Sequence, residues 1–180
     1  MTKTCSELFQ GMDCTIIGNG NEEVAGLAFR SDEVAPGDMF FCIVGTVVDG
    51  HSFAQDAIDR GATSLVAERK VYLADATDVT EVVVSDSRKA MAYASANYYD
   101  NPSRAFSLVG ITGTNGKTTT TYLVEHIASV AGNRCGVIGT VGNKIAGVME
   151  HAERTTPESP DLQKLFARMR DAGCTVVAME

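Results

Sequence analysis

The sequence lacks any apolar run approaching the roughly 18 consecutive residues that a membrane-spanning helix requires. Its start, Met1-Thr-Lys-Thr-Cys-Ser-Glu7, lacks the charged-then-apolar order of a secretion signal. Both absences predict a cytosolic protein with no membrane partner. There is no C-x-x-C pair, and the five cysteines (Cys5, Cys14, Cys42, Cys135 and Cys174) form an odd count. A disulfide framework and a zinc site are thereby disfavoured, and reduced, mostly buried thiols are expected. No basic excess exists: 15 Lys plus Arg face 23 Asp plus Glu, a net charge of −8, which argues against a nucleic-acid surface. Internal repeats and low-complexity tracts are missing too. What is present is an ordinary globular composition, 44% hydrophobic and 21% charged over 180 residues, enough for one domain or two small ones. The charge is uneven, with 8 basic and 16 acidic side chains in residues 1–105 against 7 and 7 in residues 106–180.

Strand and helix patterns alternate along the chain, which predicts an α/β fold. After the turn signal Val34-Ala-Pro-Gly-Asp38, Met39–Val44 reads as a buried strand. His51–Ala62 reads as a helix with Phe53, Ala57 and Ile58 inward and Gly61 near its end, and strands are expected at Thr63–Ala67 and Glu81–Ser85. Asp86 can cap a helix whose inner face holds Ala90, Met91, Ala94 and Tyr98. Asp100-Asn-Pro-Ser103 breaks it, and a domain boundary is placed there. Beyond it, Phe106–Ile111 reads as a strand and Lys117–Ala131 as a helix with Leu123, Ile127 and Val130 on one stripe and Gly132 at its end. A second strand at Arg134–Thr140, a helix capped by Ser159 with the stripe Leu162, Leu165, Phe166, Met169 and a stop at Gly173, and a third strand at Cys174–Met179 complete the pattern. The Phe40-Phe41 pair should alternate across its strand into the core.

The chemistry concentrates in Gly113-Thr-Asn-Gly-Lys-Thr-Thr119, between a predicted strand and a predicted helix. A triphosphate needs many donors at close range. A Gly-rich turn offers backbone N–H groups without Cβ obstruction, and the helix start adds partial positive charge. Lys117 would reach the β- and γ-phosphates and the Thr118 hydroxyl would ligate Mg²⁺. The strict G-x-x-x-x-G-K-[ST] spacing fails by one position, because Ile111 stands where the first Gly belongs and glycines fall at 110 and 113. His126 and His151 have no second ligand at metal spacing and read as surface or packing residues. His51 begins a helix beside the Pro-Gly-Asp turn, where nothing in the sequence supports a binding role.

Thr112-Gly-Thr-Asn-Gly-Lys-Thr-Thr-Thr120 resembles the ATP-binding loop of the Mur ligases, cytoplasmic enzymes that add amino acids to UDP-N-acetylmuramoyl peptides. The resemblance runs over nearly the whole chain. Ala35–Phe41, Asp49-Gly-His-Ser-Phe53 and Arg60-Gly-Ala62 are similar to the UDP-binding domain, and Asn101-Pro-Ser103 to the linker. Gly139-Thr-Val-Gly142, Thr155-Thr-Pro-Glu158, Asp161-Leu-Gln163 and Ala178-Met-Glu180 are similar to the central domain. As a set they look most like the branch that adds the third residue, usually meso-diaminopimelate or lysine.

This resemblance implies an N-terminal UDP-substrate-binding α/β domain, residues 1–105, followed by an incomplete P-loop α/β domain, residues 106–180. It implies an ATP- and Mg²⁺-dependent amide ligase acting through an acyl phosphate. Its partners are a UDP-N-acetylmuramoyl dipeptide and an amino acid, and a monomer is expected. Gly113, Thr114, Asn115, Gly116, Lys117, Thr118 and Thr119 would bind ATP, with Lys117 the catalytic residue. Phe29 and Ser31, helped by Thr46, Val47 and Val48, would hold the uridine, and Thr155 and Thr156 would contact the muramoyl dipeptide. Thr118 and Glu180 would hold Mg²⁺, in agreement with the physical expectation for a carboxylate at the C-terminal end of a parallel strand beside a phosphate loop. The bland reading of Glu180 is a solvated chain terminus.

Where the family usually reads Asp-Ser-Arg, this chain has Arg30-Ser31-Asp32, the charges exchanged around the serine. An Asp-Ser-Arg does occur at Asp86–Arg88, where a helix cap explains it. Arg154 replaces the usual Asn before the Thr-Thr pair. Family members continue past Ala-Met-Glu through a Ser-rich segment, a carbamylated lysine and a C-terminal domain that binds the incoming amino acid. A truncated piece, not competent alone as a ligase, is therefore expected. Two other readings are a non-catalytic UDP-muramoyl-peptide-binding module and a related amide ligase such as a folylpolyglutamate synthase. The acidic excess predicts that UDP recognition relies on backbone N–H groups and hydroxyls such as Ser31 and Thr46, with Arg30 a local exception.

Overall fold

The computed structural model describes residues 2–74, 78–152 and 155–180. Arg154 lies outside the described residues. The chain divides into two compact units, Met1–Tyr98 and Tyr99–Glu180.

The first unit begins with β1 (Lys3–Thr4) and α1 (Cys5–Leu8), joined by a capping box in which Thr4 and Glu7 satisfy each other's backbone N–H groups. Then follow β2 (Thr15–Ile17), β3 (Glu23–Val24), β4 (Leu27–Ala28), β5 (Met39–Phe41), α2 (Ala54–Asp59), β6 (Ser64–Ala67), β7 (Thr80–Val83) and α3 (Ser87–Tyr98). β1 pairs with β3 in a small ribbon, and the main sheet has the order β2-β7-β6-β5-β4. It is parallel except for β2 against β7. Both faces are covered, so the central strands are apolar on both sides. The pleat sends Met39, Phe41 and Val66 toward α1 and α3, where they meet Leu8, Met91 and Ala94. It sends Phe40, Cys42 and Leu65 to the other face, against Ala54 and Ala57 of α2.

Asp86 caps α3 as expected, its Oδ1 accepting the Lys89 N–H at 2.9 Å. Two expectations need correcting here. The strand from Met39 ends at Phe41, and Val44 is exposed, because the chain turns back there in a bridge between Val44 and Asp49. The predicted long helix is instead a 3-10 turn, Gly50–Phe53, followed by the short α2, so Phe53 turns outward while Ala54 and Ala57 are buried.

The second unit opens with Asp100 and Asn101 in the left-handed region, then a 3-10 turn at Pro102–Ala105. Its elements are β8 (Ser107–Gly110), α4 (Lys117–Val130), β9 (Cys135–Gly139), β10 (Gly142–Ile145), β11 (Val148–Glu150), α5 (Ser159–Asp171) and β12 (Val176–Met179). The sheet order is β11-β10-β9-β12-β8, with β8, β12 and β9 parallel and β10 and β11 forming an antiparallel extension. Inserting β12 between β8 and β9 brings three strand C-termini side by side, the place where ligands gather in parallel sheets. α5 covers one face, where Phe166 and Met169 pack on Ile138 and Val177, and Phe106 meets Phe166 edge to face with centroids 5.5 Å apart. Glu158, not Ser159, is its cap residue. Ile138→Val should cost about 1 kcal/mol, read as a lowered midpoint in urea unfolding.

The stripe on α4 is the other correction. Leu123, Ile127 and Val130 are 54%, 66% and 76% exposed, and Thr121 is the helix's fully buried residue. α4 still packs on β9 and β12, through the narrower face that carries Thr121. All five cysteines are free thiols, and four are buried, as expected. Among the described residues, no helix is long and apolar enough to cross a membrane.

Candidate functional site

The loop between β8 and α4 holds the first site. Gly116 is the N-cap of α4 with φ of 77°, a conformation that residues with a Cβ rarely adopt. A Cβ there would meet no atom within 4 Å, so the backbone lies open to a ligand. α4 runs for 14 residues, and the N–H groups of its first turn lack helical acceptors at the positive end of the helix dipole. Gly113, Thr114, Asn115, Gly116 and Thr119 are exposed, while Lys117 and Thr118 are half-buried. The Lys117 ammonium folds back over the loop and donates to the Gly113 carbonyl at 2.8 Å. It is thus poised above the turn that an anion would enter.

Glu180 follows β12 and gathers the neighbouring hydroxyls. Its Oε2 accepts from Thr118 Oγ1 at 3.0 Å and Thr140 Oγ1 at 3.1 Å, and its Oε1 accepts from the Thr140 N–H at 3.2 Å. Thr140 Oγ1 lies 3.2 Å from Thr155 Oγ1, and Thr156 Oγ1 donates to the Glu180 main-chain oxygen at 3.0 Å. The predicted residues Thr118, Thr155, Thr156 and Glu180 therefore come together, although they are spread over 63 positions of sequence. Thr140 was missed as a site residue. Its one signal was its place at the end of a predicted strand, within Gly-Thr-Val-Gly. A hydroxyl and a carboxylate oxygen beside the Gly113–Thr119 loop are hard donors of the kind Mg²⁺ takes together with phosphate oxygens and water. Among the described residues there is no cluster of three His, Cys, Asp or Glu side chains that would instead form an all-protein metal cage.

The first unit carries a cavity of about 650 Å³ lined by Phe29, Arg30, Ser31, Asp32, Phe40, Ile43, Val48, Gly50, Phe53, Asp56 and Arg60. Of the residues expected to hold the uridine, Phe29, Ser31 and Val48 line one cavity, whereas Thr46 and Val47 sit on the exposed tip of a turn closed by the Gly45 N–H to the Val48 carbonyl at 3.0 Å. The exchanged charges pair across Ser31: Arg30 donates to both Asp32 oxygens, at 3.3 and 3.0 Å, and also meets Glu33 at 3.3 Å. Asp56 had no signal in the sequence beyond helical spacing, and Arg60 had only its place in Arg60-Gly-Ala62. Ser31 and then Arg60 hold the Asp56 carboxyl below the usual carboxylate range by hydrogen bonding to its charged form.

His51 has a structural role in the same unit. It is buried, its Nε2 accepts the Glu68 N–H at 3.0 Å, and its Nδ1 therefore donates to Asp49 Oδ1 at 2.6 Å. Asp49 also takes Arg69 at 2.6 Å, and Arg69 and then His51 hold its carboxyl far below the usual carboxylate range by hydrogen bonding to its charged form. This linkage anchors the Val44–Asp49 loop, whose Val48 reaches the cavity. His126 and His151 are exposed, as expected.

Residues 23–112 match the family described as Mur ligase family, catalytic domain, and residues 111–180 match the Mur ligase middle domain. A UDP-N-acetylmuramoyl-L-alanyl-D-glutamate--2,6-diaminopimelate ligase of Geobacillus thermodenitrificans is 47% identical over 161 residues, covering 89% of this chain and 32% of that protein. The ligase of the same name from Halalkalibacterium halodurans is 42% identical over 180 residues, covering 100% of this chain and 36% of its own. A solved structure of a ligase of that name superposes with a TM-score of 0.75 at 24% identity, over 98% of this chain and 35% of that one. A MurF ligase from Thermotoga maritima in complex with ADP superposes with a TM-score of 0.52 at 23% identity, over 85% of this chain and 31% of its own. The chain spans about a third of the length of the curated relatives it matches. The chain belongs to the Mur ligase family.

Proposed function

We propose that the chain carries the two nucleotide sites of an ATP-dependent amide ligase of peptidoglycan precursor synthesis, which adds diaminopimelate, or lysine in its place, to UDP-N-acetylmuramoyl-L-alanyl-D-glutamate. Residues 1–105 would hold the UDP end of the substrate in the cavity beside Ser31, and residues 106–180 would hold ATP. The observation that carries this reading is the convergence of Thr118, Thr140 and Glu180 beside the Gly113–Thr119 loop. The names of the similar proteins support the choice of substrate.

A carboxylate resists attack by an amine, because its charge repels the nucleophile and oxide is a very poor leaving group. Transfer of the γ-phosphoryl group of ATP to the dipeptide carboxylate gives an acyl phosphate; the amine then displaces phosphate and forms the amide. The loop N–H groups and Lys117 would orient the triphosphate and stabilise charge on the transferring group. Thr118 and Glu180 would hold Mg²⁺, which supplies charge neutralisation on the phosphates when bound. Thr155 and Thr156 lie beside Glu180, where they would meet the carboxylate end of the dipeptide.

Calorimetric titration of the chain with UDP and, separately, with MgATP tests the reading. One-to-one saturation by both is expected. Saturation by UDP alone would instead favour the non-catalytic binding module, and saturation by neither would overturn the assignment of both sites.

A further inference from the structure

One residue grips the Glu180 carboxylate by both of its oxygens. β12 runs parallel to β9 with Met179 opposite Ile138, and the Glu180 N–H donates to the Ile138 carbonyl at 3.0 Å. That register sets the Glu180 side chain beside the first residue past β9, Thr140. The Thr140 N–H donates to Oε1 at 3.2 Å and its hydroxyl to Oε2 at 3.1 Å. Two donors from one residue on the two oxygens of one carboxylate fix the direction of its plane as well as its place. From the start of α4, Thr118 adds a third bond, to Oε2 at 3.0 Å. A hydroxyl donates once and a carboxylate only accepts. Thr140 therefore spends its proton on Glu180, and its 3.2 Å contact with Thr155 Oγ1 takes the proton of Thr155. The protons point one way, from Thr155 to Thr140 and from Thr140 to the carboxylate, and bonds in such a series strengthen one another.

We propose that Thr140 is a positioning residue for the metal: it orients the Glu180 carboxylate before a cation arrives, and through its hydroxyl it couples Thr155 to that carboxylate. This rests on the reading of Thr118 and Glu180 as the residues that hold Mg²⁺ in the ATP site. A glutamate side chain with no such grip populates several rotamers, and ordering it at the moment of binding costs affinity. The two bonds from Thr140 complete that ordering in advance. Thr155 acts one step further back, since its proton reinforces the bond that Thr140 makes to Oε2. Neither threonine touches the metal in this scheme, and Thr155 acts on it only through Thr140.

The test is calorimetric titration of the full chain with ATP in the presence and absence of Mg²⁺, read as the ratio of the two affinities. Thr140→Val keeps the branched shape and the backbone N–H but removes the hydroxyl, and the ratio should fall by about tenfold. Thr140→Ser returns the hydroxyl and should restore the ratio to within about twofold. A purely structural role for the branched side chain predicts the reverse order, with valine tolerated and serine not. Thr155→Val should lower the ratio by about threefold, and adding it to Thr140→Val should lower the ratio no further. A ratio that survives Thr140→Val, or that serine fails to restore, overturns the inference while leaving the metal site in place. Independent, additive effects of the two valine substitutions overturn the coupling of Thr155 through Thr140. If Mg²⁺ does not raise the affinity of the unaltered chain for ATP, the metal reading and this inference fall together.

Discussion

Lys117→Ala is expected to weaken MgATP binding by about 100-fold, measured by calorimetry at low salt. The estimate follows from the chemistry of the contact: hydrogen bonds to charged groups are worth about 1.5–3 kcal/mol each, and the ammonium would bridge two phosphates. In the structure the same ammonium rests on the Gly113 carbonyl at 2.8 Å, a neutral partner that an incoming phosphate would outbid. Lys117→Arg should recover only part of the loss, because a planar guanidinium does not fit the space of a compact ammonium. Affinity for UDP should be unchanged in both variants, since Lys117 belongs to the other compact unit. Unchanged ATP affinity in Lys117→Ala would remove the loop from the account.

Gly139→Ala is expected to weaken the Mg²⁺ dependence of ATP binding by at least about tenfold, the scale on which disturbed metal surroundings act. A Cβ on residue 139 would lie 2.3 Å from Glu180 Oε1 and 3.0 Å from its Cδ. The obstructed atoms are the far end of a flexible side chain, so the carboxylate moves and the sheet does not. Its contacts with Thr118 and Thr140 would be lost with that movement. Urea unfolding should therefore change little while the affinity for MgATP approaches that for ATP without metal. If the ratio of those two affinities stayed as in the unaltered chain, Glu180 would have no part in holding the metal.

The parts of the fold legible in the sequence were those where a short apolar run fills a central strand. Met39–Phe41, Ser64–Ala67 and Cys135–Gly139 are buried throughout, and burial on both faces leaves a continuous signal. The first 30 residues were opaque because β1, β3 and β4 are two residues long and α1 is one turn, too short for any period to register. The β10–β11 extension escaped for a related reason: Gly142-Asn-Lys-Ile145 is polar in the middle, and Lys144 is satisfied there by Glu125 of α4 at 3.0 Å. On α4, helical spacing located the helix and misplaced its inner face, since period alone does not say which stripe the sheet covers.

The site divides in the same way. The Gly113–Thr119 loop was readable as a candidate because glycine, lysine and threonine at fixed offsets carry their own geometry. Glu180 was implied by the family resemblance, with which a general property of parallel sheets agrees. The part of Thr140 was not readable because its partner Glu180 lies 40 positions away, and Asp56 and Arg60 line a cavity with Ser31, which lies 25 and 29 positions from them. The exchanged Arg30 and Asp32 show the limit of motif comparison: reversed in order, they still pair with each other around Ser31.

On this reading one chain presents two nucleotide sites, a uridine cavity in Met1–Tyr98 and a triphosphate loop in Tyr99–Glu180. The most direct test is to follow backbone amide resonances while adding UDP and then MgATP. Shifts confined to residues 29–32 and 48–60 with UDP, and to residues 111–119, 140 and 180 with MgATP, are the predicted result. Shifts from both nucleotides on the same set of amides, or from MgATP anywhere but the loop and Glu180, would contradict it.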